Sequence, residues 1–411
     1  MENQLSKRNK TICIDFSYKS FYQECIEDHK KYRIFLIDTY AQSPELFPVD
    51  FIRGFTFHDT VASIKQDGFK MRRIKLKNQS QDVYQIRPSF MMPYMIAETV
   101  DVEKALYLRR WGVPFDALAY VFGHDAMFWQ RAYVSLGRNS LVGTTIKSPE
   151  HLPKNLAADE KHSRIKGEKA YIATTVAQEC ILGCALAETA GTDELTPAYG
   201  EYKEEAENQK PGYKPDSVNT DGWEATQGAW KKLFPSVVII LCHLHSFLRI
   251  KERCRRSKEL LKMIGDKVWH TYHSENLAQF SQRIRRLREW VSDFEDSPVK
   301  EAVLNLCGKA SKFKGALQNP NAHRTSNMAD RMMNYQDRVL YAMQYFHGSQ
   351  ETTRLSLRAM ALIWNFHPYG TRAGNNNPNL ISPFYRVNRF CYHENWLQNF
   401  LVASSLGGWR S

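Results

Sequence analysis

The chain has few of the features that mark an exported or membrane-embedded protein. Its eight cysteines (Cys13, Cys25, Cys180, Cys184, Cys242, Cys254, Cys307, Cys391) are scattered, with no Cys-x-x-Cys pair and no disulfide-like ladder. That usage suits a reducing compartment better than secretion. The most apolar run, Ser236–Cys242, falls far short of the roughly 20 residues that a spanning helix needs. The opening residues lack the long apolar core of a secretory signal. Internal repeats and low-complexity tracts are also missing. These absences lead to the expectation of a soluble, cytoplasmic chain with no membrane partner.

What is present is a folded composition with an excess of basic charge. The 411 residues are 43% hydrophobic and 12% aromatic, and 56 Lys and Arg against 44 Asp and Glu give a formal charge of +12. Such a balance favours a polyanionic partner, because each neutralised phosphate releases a counterion. The length allows two or three domains.

Residues 1–95 read as an N-terminal region whose first part carries little signal. Its second part holds a small basic β module, with alternating stretches at Lys70–Lys77 and Tyr84–Arg87. Residues 96–145 read as a helix-turn-helix: Asp101 and Asp125 are caps, Pro114 opens the second helix and Gly123 breaks it. A generic helical hairpin has the same pattern. In the DNA-binding reading, Gln130 and Arg131 of the third helix face the groove. Periodicity lapses between Asn139 and Pro153, which reads as a linker between domains.

A β-rich block follows, placed at 152–250. Strands are expected at Leu156–His162, Lys169–Ala177, Cys180–Ala187, Ser217–Thr220 and Ser236–Cys242, with helices at Thr192–Asn208 and Glu224–Leu233. Three antiparallel strands and then alternating helix and strand is the order of the ribonuclease-H-like fold. The expected class is therefore α/β (α+β overall), a mixed sheet preceded by the helix-turn-helix and the small β module. Residues 251–320 read as a helical insertion within an almost unbroken Arg-rich helical stretch, whose Arg249, Arg253 and Arg256 are candidates for DNA contact. Residues 321–366 supply the last helices of the core, and 367–411 a tail.

Three carboxylates stand out by position. Asp159 lies inside the first strand of the block, Asp221 ends the fourth, and Asp330 opens a helix. Carboxylates converging at strand ends can hold two Mg²⁺ or Mn²⁺ ions about 3.5–4 Å apart. Each has a plainer reading: Asp221 before Gly222 suits a turn, and Asp330 suits a first-turn acid facing the helix dipole. Glu160 is the alternative to Asp159, since neighbouring strand residues face opposite sides. Cys242 and His245 follow the apolar strand. A zinc site with Cys254, a core Cys with a helix-starting His, and a His beside a scissile phosphate are all open readings.

These motifs resemble those of the DDE/D transposases of bacterial insertion sequences, whose core is shared with Mutator-like and hAT elements. The resemblance rests on Ala158-Asp159-Glu160, Thr220-Asp221-Gly222-Trp223, Cys242-x-x-His245, and the run from Thr325 through Asp330 to Arg331. It covers roughly residues 155–366. It implies that Asp159, Asp221 and Asp330 are ligands of two Mg²⁺ or Mn²⁺ ions, with His245 in support. It also implies double-stranded DNA as partner, action as a homodimer or larger assembly, and a bacterial, nucleoid-associated location. The third acid is Asp where the family more often has Glu. A domesticated DNA-binding descendant and a nuclease without strand transfer are the rival readings. Tyr335 near Arg331 and Arg338 suggests a tyrosine recombinase, but the full Arg/His set of that class is absent.

Overall fold

The computed structural model describes residues 9–409 apart from 67, 256, 320, 371 and 373–380. It shows a mixed α/β architecture built on two sheets. The first combines β1 (Thr11–Ile14), β2 (Phe55–Ala62), β3 (Lys70–Leu76) and β4 (Val83–Pro88) in the order β1-β4-β3-β2. β1 runs parallel to β4, and the other pairs are antiparallel. Alternation gives the sheet two unlike faces. Ile12, Ile14, Ile74 and Ile86 are fully buried in one core with Tyr22, Tyr32 and Leu36, which lie on α1 (Lys19–Glu27) and α2 (His29–Gln42).

Three helices follow: α3 (Thr99–Arg109), α4 (Phe115–Phe122) and α5 (Ala126–Leu136). The Asp125 carboxylate caps α5 by accepting the Phe128 N–H at 2.6 Å. The stretch expected as a linker is instead occupied by α6 (Leu141–Thr145), all five residues of which are buried. It lacks a readable period because a helix this short, packed on every side, has no solvent face.

The second sheet contains β5 (Asn155–Ile165), β6 (Glu168–Ala177), β7 (Cys180–Ala187), β8 (Ser217–Thr220) and β9 (Val238–Leu241), ordered β7-β6-β5-β8-β9. β5, β6 and β7 are antiparallel neighbours, while β8 runs parallel to both β5 and β9. One face carries Leu156, Ala158 and Val218 in a core with Tyr199, Tyr202 and Trp230, from α7 (Thr192–Gln209) and α8 (Glu224–Leu233).

After β9 come α9 (His243–Arg253), α10 (Lys258–Tyr272), α11 (Leu277–Ser292), α12 (Pro298–Gly308) and α13 (Ala310–Gln318). The expected near-continuous helix is thus five helices around a core of their own, including Ile264, Phe280, Leu287 and Val303. Caps at Ser257, Asn276 and Ser297 divide them, each side chain accepting a backbone N–H of the next helix. The chain then returns through α14 (Asn327–Ala342) and α15 (Gln350–Phe366). Ala157, Ile172 and Cys184, on the other face of the second sheet, share a core with Ala329 and Met332 of α14 and Leu357 and Met360 of α15. Trp129, Ala132 and Leu136 of α5 join that same core.

Residues beyond 366, read as a tail, are largely interior where described. Helices Pro383–Asn388 and Trp396–Ala403 bury Phe384, Leu397 and Phe400. The Cys13 N–H donates to Ser405 Oγ at 3.0 Å, so β1 packs against the end of the described chain. Among the described residues no helix is long and apolar enough to cross a membrane.

Candidate active site

The geometry of β5 separates its two adjacent acids. Lys161, two residues beyond Asp159, reaches Asp337 of α14 at 2.6 Å. Thr174, directly across from Asp159 in the ladder, accepts from Gln336 of α14 at 3.1 Å. Asp159 therefore faces α14. Glu160 faces the opposite helices, where its carboxylate accepts from Thr226 of α8 at 2.6 Å and from the Tyr199 hydroxyl of α7.

Asp221 follows the last residue of β8. The β5–β8 register pairs Ala157 with Asn219, and two residues further along each strand brings Asp159 and Asp221 level. Gly222 has φ +104°, a conformation open to glycine. A Cβ there would meet Leu241 Cδ1 at 2.6 Å. Asp221 Oδ1 also accepts the Trp223 N–H at 2.9 Å, so the plainer turn role is made alongside any other.

Asp330 sits in the first turn of α14, and His245 is the third residue of α9. His245 Nε2 lies 3.9 Å from Asp330 Oδ1. Ser326, which precedes α14, places its Oγ 3.1 Å from His245 Nδ1, 3.3 Å from Cys242 Sγ and 3.5 Å from Asp330 Oδ2. Nothing in the sequence reading singled out Ser326. Its place before a helix is that of an ordinary cap residue, and only the fold brings it to Cys242 and His245.

The electrostatics describe one acidic cluster. Burial, then the charges of Asp221 and Glu160, push the Asp159 carboxyl up to about 7, with His245 offsetting part of the effect. Asp330 is raised by burial and by Asp221, against the lowering influence of His245 and Ser326. His245 is raised to about 9, chiefly by its hydrogen bond with Cys242 and then by the charges of Cys242, Asp330 and Asp159. Burial works to raise the Cys242 thiol, but hydrogen bonds with His245 and Ser326 outweigh it and leave the thiol lowered. His243, by contrast, is a core histidine brought down to about 4 by burial, between Tyr272 and Phe313.

Asp159, Asp221 and Asp330 are thus the residues whose charges meet, with His245 beside them. Carboxylates partly withdrawn from water that also repel one another form a donor set suited to a hard cation. Among the described residues no group of three or more His, Cys, Asp and Glu side chains stands in metal-holding geometry. The zinc reading fails on geometry. Cys242 and Cys254 flank the 11-residue α9 as its two caps, roughly 18 Å apart at the rise of a helix. Tyr335 is buried and donates to the Met360 carbonyl at 2.9 Å, which removes it as a nucleophile.

The basic candidates fall in two places. Arg249 and Arg253 follow His245 at one-turn intervals on α9. They are exposed and line a groove of about 200 Å³ with Lys309. Burial, then the charges of Arg249 and Lys312, lower the Lys309 ammonium, which also feels Glu224, three residues after Asp221. Lys309 was not among the sequence candidates. Arg256 lies outside the described residues. Gln130, partly buried, and Arg131, exposed, are on α5, which packs on α15 through Tyr133, whose hydroxyl donates to the Ser356 carbonyl at 3.1 Å. The structure does not bring them to the acids.

Comparison with known proteins finds no family model that matches the chain and no curated relative that matches it.

Proposed function

We propose that this chain is a DDE/D transposase that cuts and joins DNA at a ribonuclease-H-like core. One observation carries the reading. Asp159, inside β5, comes level with Asp221, just past the end of the adjacent parallel strand β8, and Asp330 feels the charge of Asp221 from a helix packed over the sheet. The strand order β7-β6-β5-β8-β9, antiparallel for three strands and parallel for two more, supports the core assignment. The α9–α13 insertion falls between the second and third acids.

In this reading Asp159, Asp221 and Asp330 hold two Mg²⁺ or Mn²⁺ ions. Bound ions would supply Lewis acidity at the phosphate and a more acidic water or 3′-hydroxyl. The protein's own residues bind and orient. His245, kept cationic by Cys242 and the acids, places positive charge beside Asp330 and toward the phosphate. Arg249, Arg253 and Lys309 continue that charge along the DNA backbone. Water attacks phosphorus at the element end as the bond to the element's 3′-oxygen breaks, and the freed 3′-hydroxyl then attacks a target phosphate, whose own 3′-oxygen leaves as a hydroxyl. No protein nucleophile takes part. Two ends must be paired, so a homodimer or larger assembly on DNA is part of the proposal, as is groove contact by Gln130 and Arg131.

The test uses purified protein, DNA carrying the element's terminal repeats, and Mg²⁺ or Mn²⁺. Cleaved and joined products are expected. Asp221→Asn should lower cleavage by about 10³-fold or more and leave end binding nearly intact. Wild-type cutting by that variant would overturn the site. Cut but never joined products would make the protein a nuclease, and end binding with no cutting at all would make it a silent descendant.

A further inference from the structure

The face of the N-terminal sheet turned away from α1 and α2 packs at Cys13 against the helix Trp396–Ala403. It floors a cavity of about 790 Å³. Thr11, Gln85 and Arg87 belong to this face, since Thr11 pairs with Gln85 across β1 and β4 and Arg87 follows two residues on. Arg138, just after α5, and Arg354 of α15 stand on the other wall, and Tyr94 lies at the side. The volume is that of a small-ligand pocket.

Lys10 on the cavity's edge is paired with Asp82 at 2.9 Å, and Arg354 with Glu201 at 3.0 Å. Arg87 and Arg138 form no ion pair with a carboxylate among the described residues. Arg87 is only 7% exposed and hydrogen-bonds the Cys13 thiol, a neutral partner, while its Nε is buried without one. A guanidinium withdrawn from water and left without an anion is costly. The Arg138 guanidinium lies over the Tyr94 ring at 5.6 Å from its centroid, and Tyr94 remains 63% exposed. The acid lining the cavity is Glu351, and a carboxylate accepts hydrogen bonds from sugar hydroxyls.

We propose that this cavity binds a nucleotide, with its phosphate between Arg87 and Arg138, its base against Tyr94 and its sugar toward Glu351. Guanidinium groups match phosphate oxygens in pairs, and an aromatic face accepts any base. The nucleotide is either a free mononucleotide or the 5′-phosphorylated end of a DNA strand. The site is separate from the acidic cluster, so the proposal stands independently of the transposase reading.

Titration calorimetry of the full chain with dAMP, a 5′-phosphorylated trinucleotide and inorganic phosphate tests this. Saturable binding of dAMP identifies the free nucleotide, and saturation by the trinucleotide alone identifies the strand end. Arg138→Ala, at an exposed position, should weaken binding by about tenfold or more, and Arg87→Gln should do the same if its melting temperature is preserved. Arg285→Ala, at an exposed position of α11, should change nothing. The proposal is overturned if no ligand saturates, if inorganic phosphate binds as well as the nucleotides, if Arg138→Ala binds normally, or if Arg285→Ala weakens binding as much as Arg138→Ala.

Discussion

Ser326 Oγ lies 3.1 Å from His245 Nδ1 and 3.3 Å from Cys242 Sγ, so one hydroxyl ties the start of α14 to the start of α9. A hydroxyl donates one hydrogen bond and accepts two. With His245 protonated, Nδ1–H donates to Oγ, and the hydroxyl proton turns to Cys242 or Asp330. Ser326→Ala should therefore loosen the ring, leaving Cys242 as its hydrogen-bond partner, and slow DNA cleavage by roughly 10–100-fold, the scale of losing a group that orients a site residue. Ser326→Thr, which keeps the hydroxyl, should recover most of the rate. Equal rates for the alanine and threonine variants would remove Ser326 from the site.

The acidic cluster makes stability depend on pH in a set direction. Asp159, raised to about 7 from an ordinary 3.8, binds more protons folded than unfolded, so stability falls as pH rises through that interval. His245, raised to about 9 from 6.5, contributes stability that is complete below 6.5 and lost as pH passes 9. Both act the same way. The melting temperature without divalent ions should decline from about pH 5 to about pH 9 and recover when Mg²⁺ or Mn²⁺ is added. Asp159→Asn should raise it by roughly 2–5 °C at pH 8 while abolishing cleavage. A lower melting temperature for that variant would show that the carboxylate is not held under repulsion.

Gly222 is fixed by its φ of +104° and by the closeness of Leu241. Gly222→Ala should cost about 1–3 kcal/mol in denaturant unfolding and displace Asp221 enough to lose most cleavage. Normal stability and activity would mean that the turn relaxes at no cost.

Arg249, Arg253 and Lys309 share one groove. If DNA passes along it, each alanine substitution should weaken binding across all sequences and reduce the slope of log affinity against log salt by about 1. Slopes equal to wild type would place the backbone elsewhere.

The elements bounded by turn chemistry were legible in the sequence. β7, β8 and α8 span the residues their punctuation marks, since Gly191, Pro215 and Pro235 close off the neighbouring stretches. The order of the three acids was legible for the same reason. The choice between Asp159 and Glu160 was not, because alternation says that they face apart but not which face α14 covers. β1 and the helix Trp396–Ala403 were missed because their stabilisation is non-local. Four residues at 11–14 form a strand only beside β4, and residues 396–403 are apolar because they enter a core shared with α15. Ser326 and Lys309 were missed because their roles come from elements brought together across the insertion.

The bond from the Cys13 amide to Ser405 has a consequence for biosynthesis. Ile12 and Ile14 share their core with Val402 and Leu406, so β1 must wait for residues made far later before its packing is complete. The first sheet should then remain open to chaperones and proteases until residues 402–406 have emerged, and removing those residues would damage the packing of β1.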